Sequence, residues 1–109
     1  MAKLEKYNLK SLGKQMELIS KTYFHYKNML NKSHLLYDVE EETIDEFSMY
    51  VARVEDTYKV LDSLDQLIIN NDYFHENYPY WWVKQYSTTT YYRYKKRAVV
   101  RFLKIFYEI

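Results

Sequence analysis

Residues 8–31 read NLKSLGKQMELISKTYFHYKNMLN, and within them Leu9, Leu12, Met16, Ile19, Tyr23, Tyr26 and Leu30 recur at alternating spacings of three and four. That period puts all of these side chains on one stripe of an α-helix, since 3.6 residues make a turn. A helix from about residue 8 to 31 is therefore expected. Gly13 inside it costs about 1 kcal/mol relative to alanine, which is tolerable where another element must approach closely. A second run, Ile44, Phe47, Val51, Val54, Tyr58, Leu61, Leu64 and Ile68, follows the same alternation until Asp65 takes a position due to be apolar. It predicts a helix over about 40–70 with a break near Asp62. Asp38 and Glu41 have the spacing of a capping box at its start, and Glu40, Glu41, Glu42, Asp45 and Glu46 favour the positive end of the helix dipole. The connection from Asn31 to Asp38 lets the two helices return antiparallel at the shallow crossing that a shared 3.5-residue period favours. The periodicity leaves open whether the two seams meet within one chain or between two.

Composition agrees with helices. The 109 residues suit one domain, 1–109, with a single core. One glycine and one proline, Pro79, leave little of the turn chemistry that a many-stranded sheet needs. Cysteine is absent, which removes disulfides, thiolate nucleophiles and cysteine-ligated metals. No stretch has secretory or membrane-spanning character, so a cytoplasmic protein that does not enter a membrane is expected. The formal net charge of +1 conceals segregation: residues 1–37 carry seven lysines against two acids, 38–76 twelve acids against two bases, and 77–109 seven bases against one acid. The expectation is that the middle block packs beside the first and neutralises it, leaving the third to present positive potential outward.

In that third block Pro79 can open a short helix of about 79–85, and Ser87 can cap a last helix of about 88–108. A hairpin over Trp81–Tyr94 is the competing structure, disfavoured because Ser87-Thr88-Thr89-Thr90 lacks the glycine or asparagine of a tight hairpin turn. On a helical wheel Tyr91, Ala98, Phe102, Ile105 and Ile109 line one side, whereas Arg93, Lys96, Arg97 and Lys104 lie opposite with Arg101 beside them. The expected fold is all-α: a long antiparallel helical hairpin at 8–70, then a short helix and a basic amphipathic helix at 79–108 arranged like a helix-turn-helix. Trp81 and Trp82, with Tyr78, Tyr80 and Tyr86, are either core or a stacking platform for single-stranded nucleic acid, and core is the commoner fate of such a cluster.

The segments LDSLDQLIINNDYF (61–74) and WWVKQYSTTTYYRYKKRAVVRFL (81–103) resemble the C-terminal promoter-recognition region of sigma factors and, more closely, the sigma-like phage late-transcription regulators. The resemblance lies in the order of parts: a leucine-bearing helix ending in Tyr-Phe, a short helix, a Ser/Thr turn, and a Tyr-Tyr-Arg-x-Lys helix leading to an alanine. It implies a sequence-specific transcriptional regulator that contacts double-stranded DNA through Thr88, Thr89, Tyr92, Arg93, Lys96 and Arg97, with RNA polymerase as a further partner. Arginine and lysine suit guanine or phosphate, and the threonines at a helix N-terminus suit phosphate. The alternative is a helical adaptor that binds a partner protein, or its own copy as a homodimer, through the heptad seams. No enzymatic site is expected. His25, His34 and His75 are scattered, Asp72-x-x-His75 reads as a helix-end hydrogen bond, and neither a paired metal-ligand motif nor a glycine-rich phosphate loop occurs, so no metal, cofactor or small-molecule substrate is expected.

Overall fold

The computed structural model describes residues 4–32, 37–75 and 78–108; His34 and most of the connection around it lie outside them. The described residues are helices and turns, without strands. Helix α1 runs Leu9–Asn31, and Asn8 caps it by accepting the Ser11 N–H at 2.9 Å, which satisfies an amide that has no intrahelical partner. Helix α2 runs Glu41–Lys59 and lies antiparallel to α1: Tyr26 stacks on Phe47 at 4.3 Å, and the Tyr23 hydroxyl donates to Glu55 at 2.8 Å. The two seams thus meet within one chain. The capping box does not form. Glu40 holds the cap position without a side-chain hydrogen bond, and Asp38 is exposed in the preceding turn; acids in the first turn act on the helix dipole here rather than on one amide.

The break near Asp62 is present. Asp62 accepts the Asp65 N–H at 2.9 Å and starts helix α3, Ser63–Ile69, which widens into a π-turn over Asn70–Phe74. Asp65 does occupy a core position. Its carboxylate is fully buried and takes a hydrogen bond from Arg101 at 2.8 Å, while Arg101 also reaches Asp62 at 2.9 Å. A carboxylate can replace an apolar residue there because the last helix supplies a guanidinium, and removing the arginine would leave a buried charge uncompensated. The Asp65 Oδ1 atom is buried with no hydrogen bond among the described residues. The π-turn brings Tyr73 against α1, where Ser20 donates to the Tyr73 carbonyl at 2.7 Å. A Cβ on residue 13 would sit 3.2 Å from the Tyr73 hydroxyl, so the glycine serves that close approach.

Helix α4 runs Thr88–Glu108 and is capped by Ser87, whose hydroxyl accepts the Thr90 N–H at 3.2 Å. It closes the core over the hairpin and α3: Phe102 meets Phe74 edge-on at 6.1 Å, Phe106 meets Tyr50 at 5.6 Å, and Tyr107 donates to Gln15 at 2.9 Å. Tyr91, Ala98 and Phe102 are buried as the wheel places them, Ile105 is half-buried, and Ile109 lies outside the described residues; Phe106 is buried beside them. The short helix expected over about 79–85 is instead a succession of turns, with Val83 donating to Tyr80 at 3.0 Å and Gln85 to Trp82 at 3.0 Å. Tyr80, at φ 61°, lies in the left-handed region immediately after Pro79 and turns the chain off any α-helical path. The two indoles are anchored separately, Trp81 by donating to Asp72 at 2.8 Å and Trp82 by stacking flat on Tyr91 at 4.2 Å. Trp82 is thus core, Trp81 and Tyr86 pack half-buried against it, and Tyr78 and Tyr80 of the expected cluster are exposed.

Candidate nucleic-acid interface

Successive residues of a helix are rotated by about 100°, so the side of α4 opposite its buried stripe carries Thr89, Arg93, Lys96, Arg97, Val100 and Lys104, with Tyr92 at its edge. Of the six residues expected to contact DNA, Thr88 alone is turned toward the stripe, in line with buried Phe106, and it is exposed at the start of the helix. Thr88, Thr89, Arg93 and Arg97 are exposed, Tyr92 is 43% exposed, and Lys96 is half-buried. Arg93 and Arg97 flank the Tyr94 ring at 5.8 and 5.1 Å, and Tyr94 rests edge-on against Tyr86 at 5.6 Å. These ring contacts hold the guanidinium groups near the surface while their N–H edges face water. Tyr94 was not among the expected residues. Its signal was available as helical spacing, because a tyrosine three residues before an arginine meets it on the helix surface.

The remaining basic residues of α4 are distributed otherwise than the block pattern suggested. Lys95 pairs with Asp72 at 3.2 Å and Arg101 with Asp62 and Asp65, whereas Lys27–Glu55 at 3.0 Å joins the first block to the middle. The middle block therefore pairs mainly with the third, because Asp62 at the cap of α3, Asp65 within it and Asp72 in the π-turn face α4. Lys104 pairs with Glu5, and Lys96 donates to the Glu5 carbonyl at 3.0 Å. Among the described residues Arg93 and Arg97 take part in no ion pair. They line a groove of about 500 Å³ together with Glu5, Leu9, Tyr92, Lys96 and Lys104, and a second groove on the other side of Tyr92 is lined by Lys10 and Lys14 of α1. Basic side chains thus continue from α4 onto the first turns of α1, interspersed with Glu17 and Asp72 of the same groove.

Asp72 fixes the approach to this face. Its carboxylate accepts from the Trp81 indole and the Tyr91 hydroxyl and pairs with Lys95; these, rather than His75, are its partners. Burial, and then the bond to Asp72 and its charge, push the Tyr91 phenol well above the ordinary tyrosine range, and burial followed by the Asp72 and Glu17 charges does the same for Tyr73. A raised phenol favours the folded state while the unfolded chain keeps its tyrosines neutral. That contribution is complete below the unfolded value of about 10 and is lost as pH rises beyond it. The melting temperature is expected to fall above about pH 10, and to fall less steeply with pH in Tyr91→Phe, whatever that variant's starting stability. Equal alkaline slopes in thermal scans of the two proteins would contradict this assignment.

A separate cleft of about 470 Å³ lies between α1, α2 and the π-turn, lined in part by Tyr23, Glu55, Tyr58, Phe74 and His75. Hydrogen bonds from Tyr23 and Lys27 hold the Glu55 carboxyl below its ordinary range, which makes it an ion-pair member rather than a proton donor at neutral pH. Among the described residues no group of three or more His, Cys, Asp and Glu could hold a metal ion, and no helix is long and apolar enough to cross a membrane. Comparison with protein-family models, curated proteins and solved structures gives no match.

Proposed function

We propose that this protein is a transcriptional regulator that binds duplex DNA through the outward face of α4. The observation that carries the reading is the pair Arg93 and Arg97: exposed on the first turns of the helix, braced by Tyr94, and outside any ion pair among the described residues, while Lys95, Arg101 and Lys104 are held by carboxylates. The major groove is about 12 Å wide and admits one α-helix. Thr88 and Thr89 at the positive end of the helix suit a backbone phosphate. The resemblance of residues 61–74 and 81–103 to promoter-recognition regions supports the same reading, with RNA polymerase as the expected partner of a regulator of this kind. The adaptor alternative has less to work with, because the heptad seams of α1 and α2 face each other.

Salt dependence tests the proposal. If Arg93, Lys96 and Arg97 neutralise about three phosphates, log K should fall against log salt with a slope near −2.7, a loss of about 40-fold between 50 and 200 mM. Fluorescence anisotropy with a labelled duplex measures this directly. An absence of duplex binding at low salt would sink the DNA reading.

A further inference from the structure

Val100 lies on the outward side of α4, between Thr89 and Arg93 on the helical wheel, yet it is only 6% exposed. The 3-10 turn Leu4–Lys6 packs against α4, and Glu5 and Leu9 line one groove with Val100. Leu4 sits in an apolar crevice with Leu12, Leu103 and Tyr107. Glu5 points both of its acceptors at the helix, the carbonyl to Lys96 at 3.0 Å and the carboxylate to Lys104. We infer that Glu5 fills a phosphate site formed by Lys96 and Lys104, and that DNA must displace it to engage the full length of the face. The inference rests on the DNA reading above and adds to it an internal competitor.

The chemistry of the occupant is that of the proposed ligand. A carboxylate oxygen and a carbonyl oxygen are hydrogen-bond acceptors, as phosphate oxygens are, and a lysine ammonium binds either as a point charge. The Lys104–Glu5 pair is partly exposed on both sides, and exposed pairs hold weakly, so a polyanion can replace it. The turn then divides the face into two halves. Thr88, Thr89, Arg93 and Arg97 stand open for first contact, whereas Lys96 and Lys104 become available only when the turn lifts. While Glu5 stays in place Lys104 neutralises no phosphate, so that complex releases fewer DNA counterions than an open site would.

The test compares Glu5→Ala with Glu17→Ala. Glu17 is an exposed acid that lines the neighbouring groove, and Lys95 of α4 in the same groove pairs with Asp72 rather than with Glu17, so removing Glu17 raises the net charge equally without breaking an ion pair to α4. Glu5→Ala is expected to bind a duplex about 3–10-fold more tightly than the unaltered protein, the gain from removing a competing bound state, with a salt slope steeper by about one. Glu17→Ala is expected to gain less and to keep the original slope. Equal gains and equal slopes would reduce the effect to net charge and overturn the inference while leaving the DNA reading intact. Duplex binding by none of the three proteins would remove the DNA reading, and this inference with it.

Discussion

Replacing Arg93 and Arg97 together by alanine is expected to weaken duplex binding by well over tenfold and to leave the melting temperature unchanged. Loss of one specific arginine contact to a base typically costs about 1–3 kcal/mol, and two such losses multiply. Both residues are exposed and their guanidinium groups lie over the Tyr94 ring, which keeps its own packing against Tyr86. Exposed substitutions of this kind usually change stability by no more than about 0.5 kcal/mol. Lysine at both positions should recover part of the affinity, since it keeps the charge but loses the planar fork that binds guanine or phosphate through two hydrogen bonds. Circular dichroism and anisotropy on the same samples separate the two effects. A variant that unfolds would show these side chains to be structural, and one that is folded and binds as before would remove α4 from the interface.

Trp82→Ala should produce the largest loss of stability, about 3–5 kcal/mol, the usual cost of deleting a buried large aromatic. Trp82 is 4% exposed, and it stacks on Tyr91 with ring planes 5° apart while meeting Tyr92 edge-on at 5.8 Å. Deleting it opens a void beneath the first turn of α4 and loosens Tyr91, whose hydroxyl is one of the bonds fixing Asp72. A domain of this size gains only about 5–15 kcal/mol on folding, so the variant should melt far below the parent. Near-parental melting combined with lost DNA binding would reassign the indole from core to contact surface.

The helices that depend on local pattern were legible in the sequence. The alternation from Leu9 to Leu30 and from Ile44 to Leu61 gave α1, α2 and their antiparallel pairing, Ser87 gave the start of α4, and the wheel separated Tyr91, Ala98 and Phe102 from Arg93 and Arg97. What escaped depends on long-range partners. Pro79 with a following aromatic run suggests a helix, but the left-handed Tyr80 and the anchoring of Trp81 on Asp72 are settled by elements that are not neighbours in sequence. Asp65 looked like the end of a seam, whereas its burial requires an arginine 36 positions later. The reach of Glu5 to Lys96 and Lys104 spans more than 90 residues, so no local spacing could have revealed it.

The central claim, that the outward face of α4 is the surface that meets DNA, is tested most directly by titrating the ¹⁵N-labelled protein with a short duplex and mapping the amides that shift. The account predicts changes concentrated in Thr88–Lys104, extending to the first turns of α1 and the turn Leu4–Lys6, with the outer part of the hairpin, residues 24–31 and 41–50, unmoved. Shifts confined to that outer hairpin, or none at all at low salt, would contradict it.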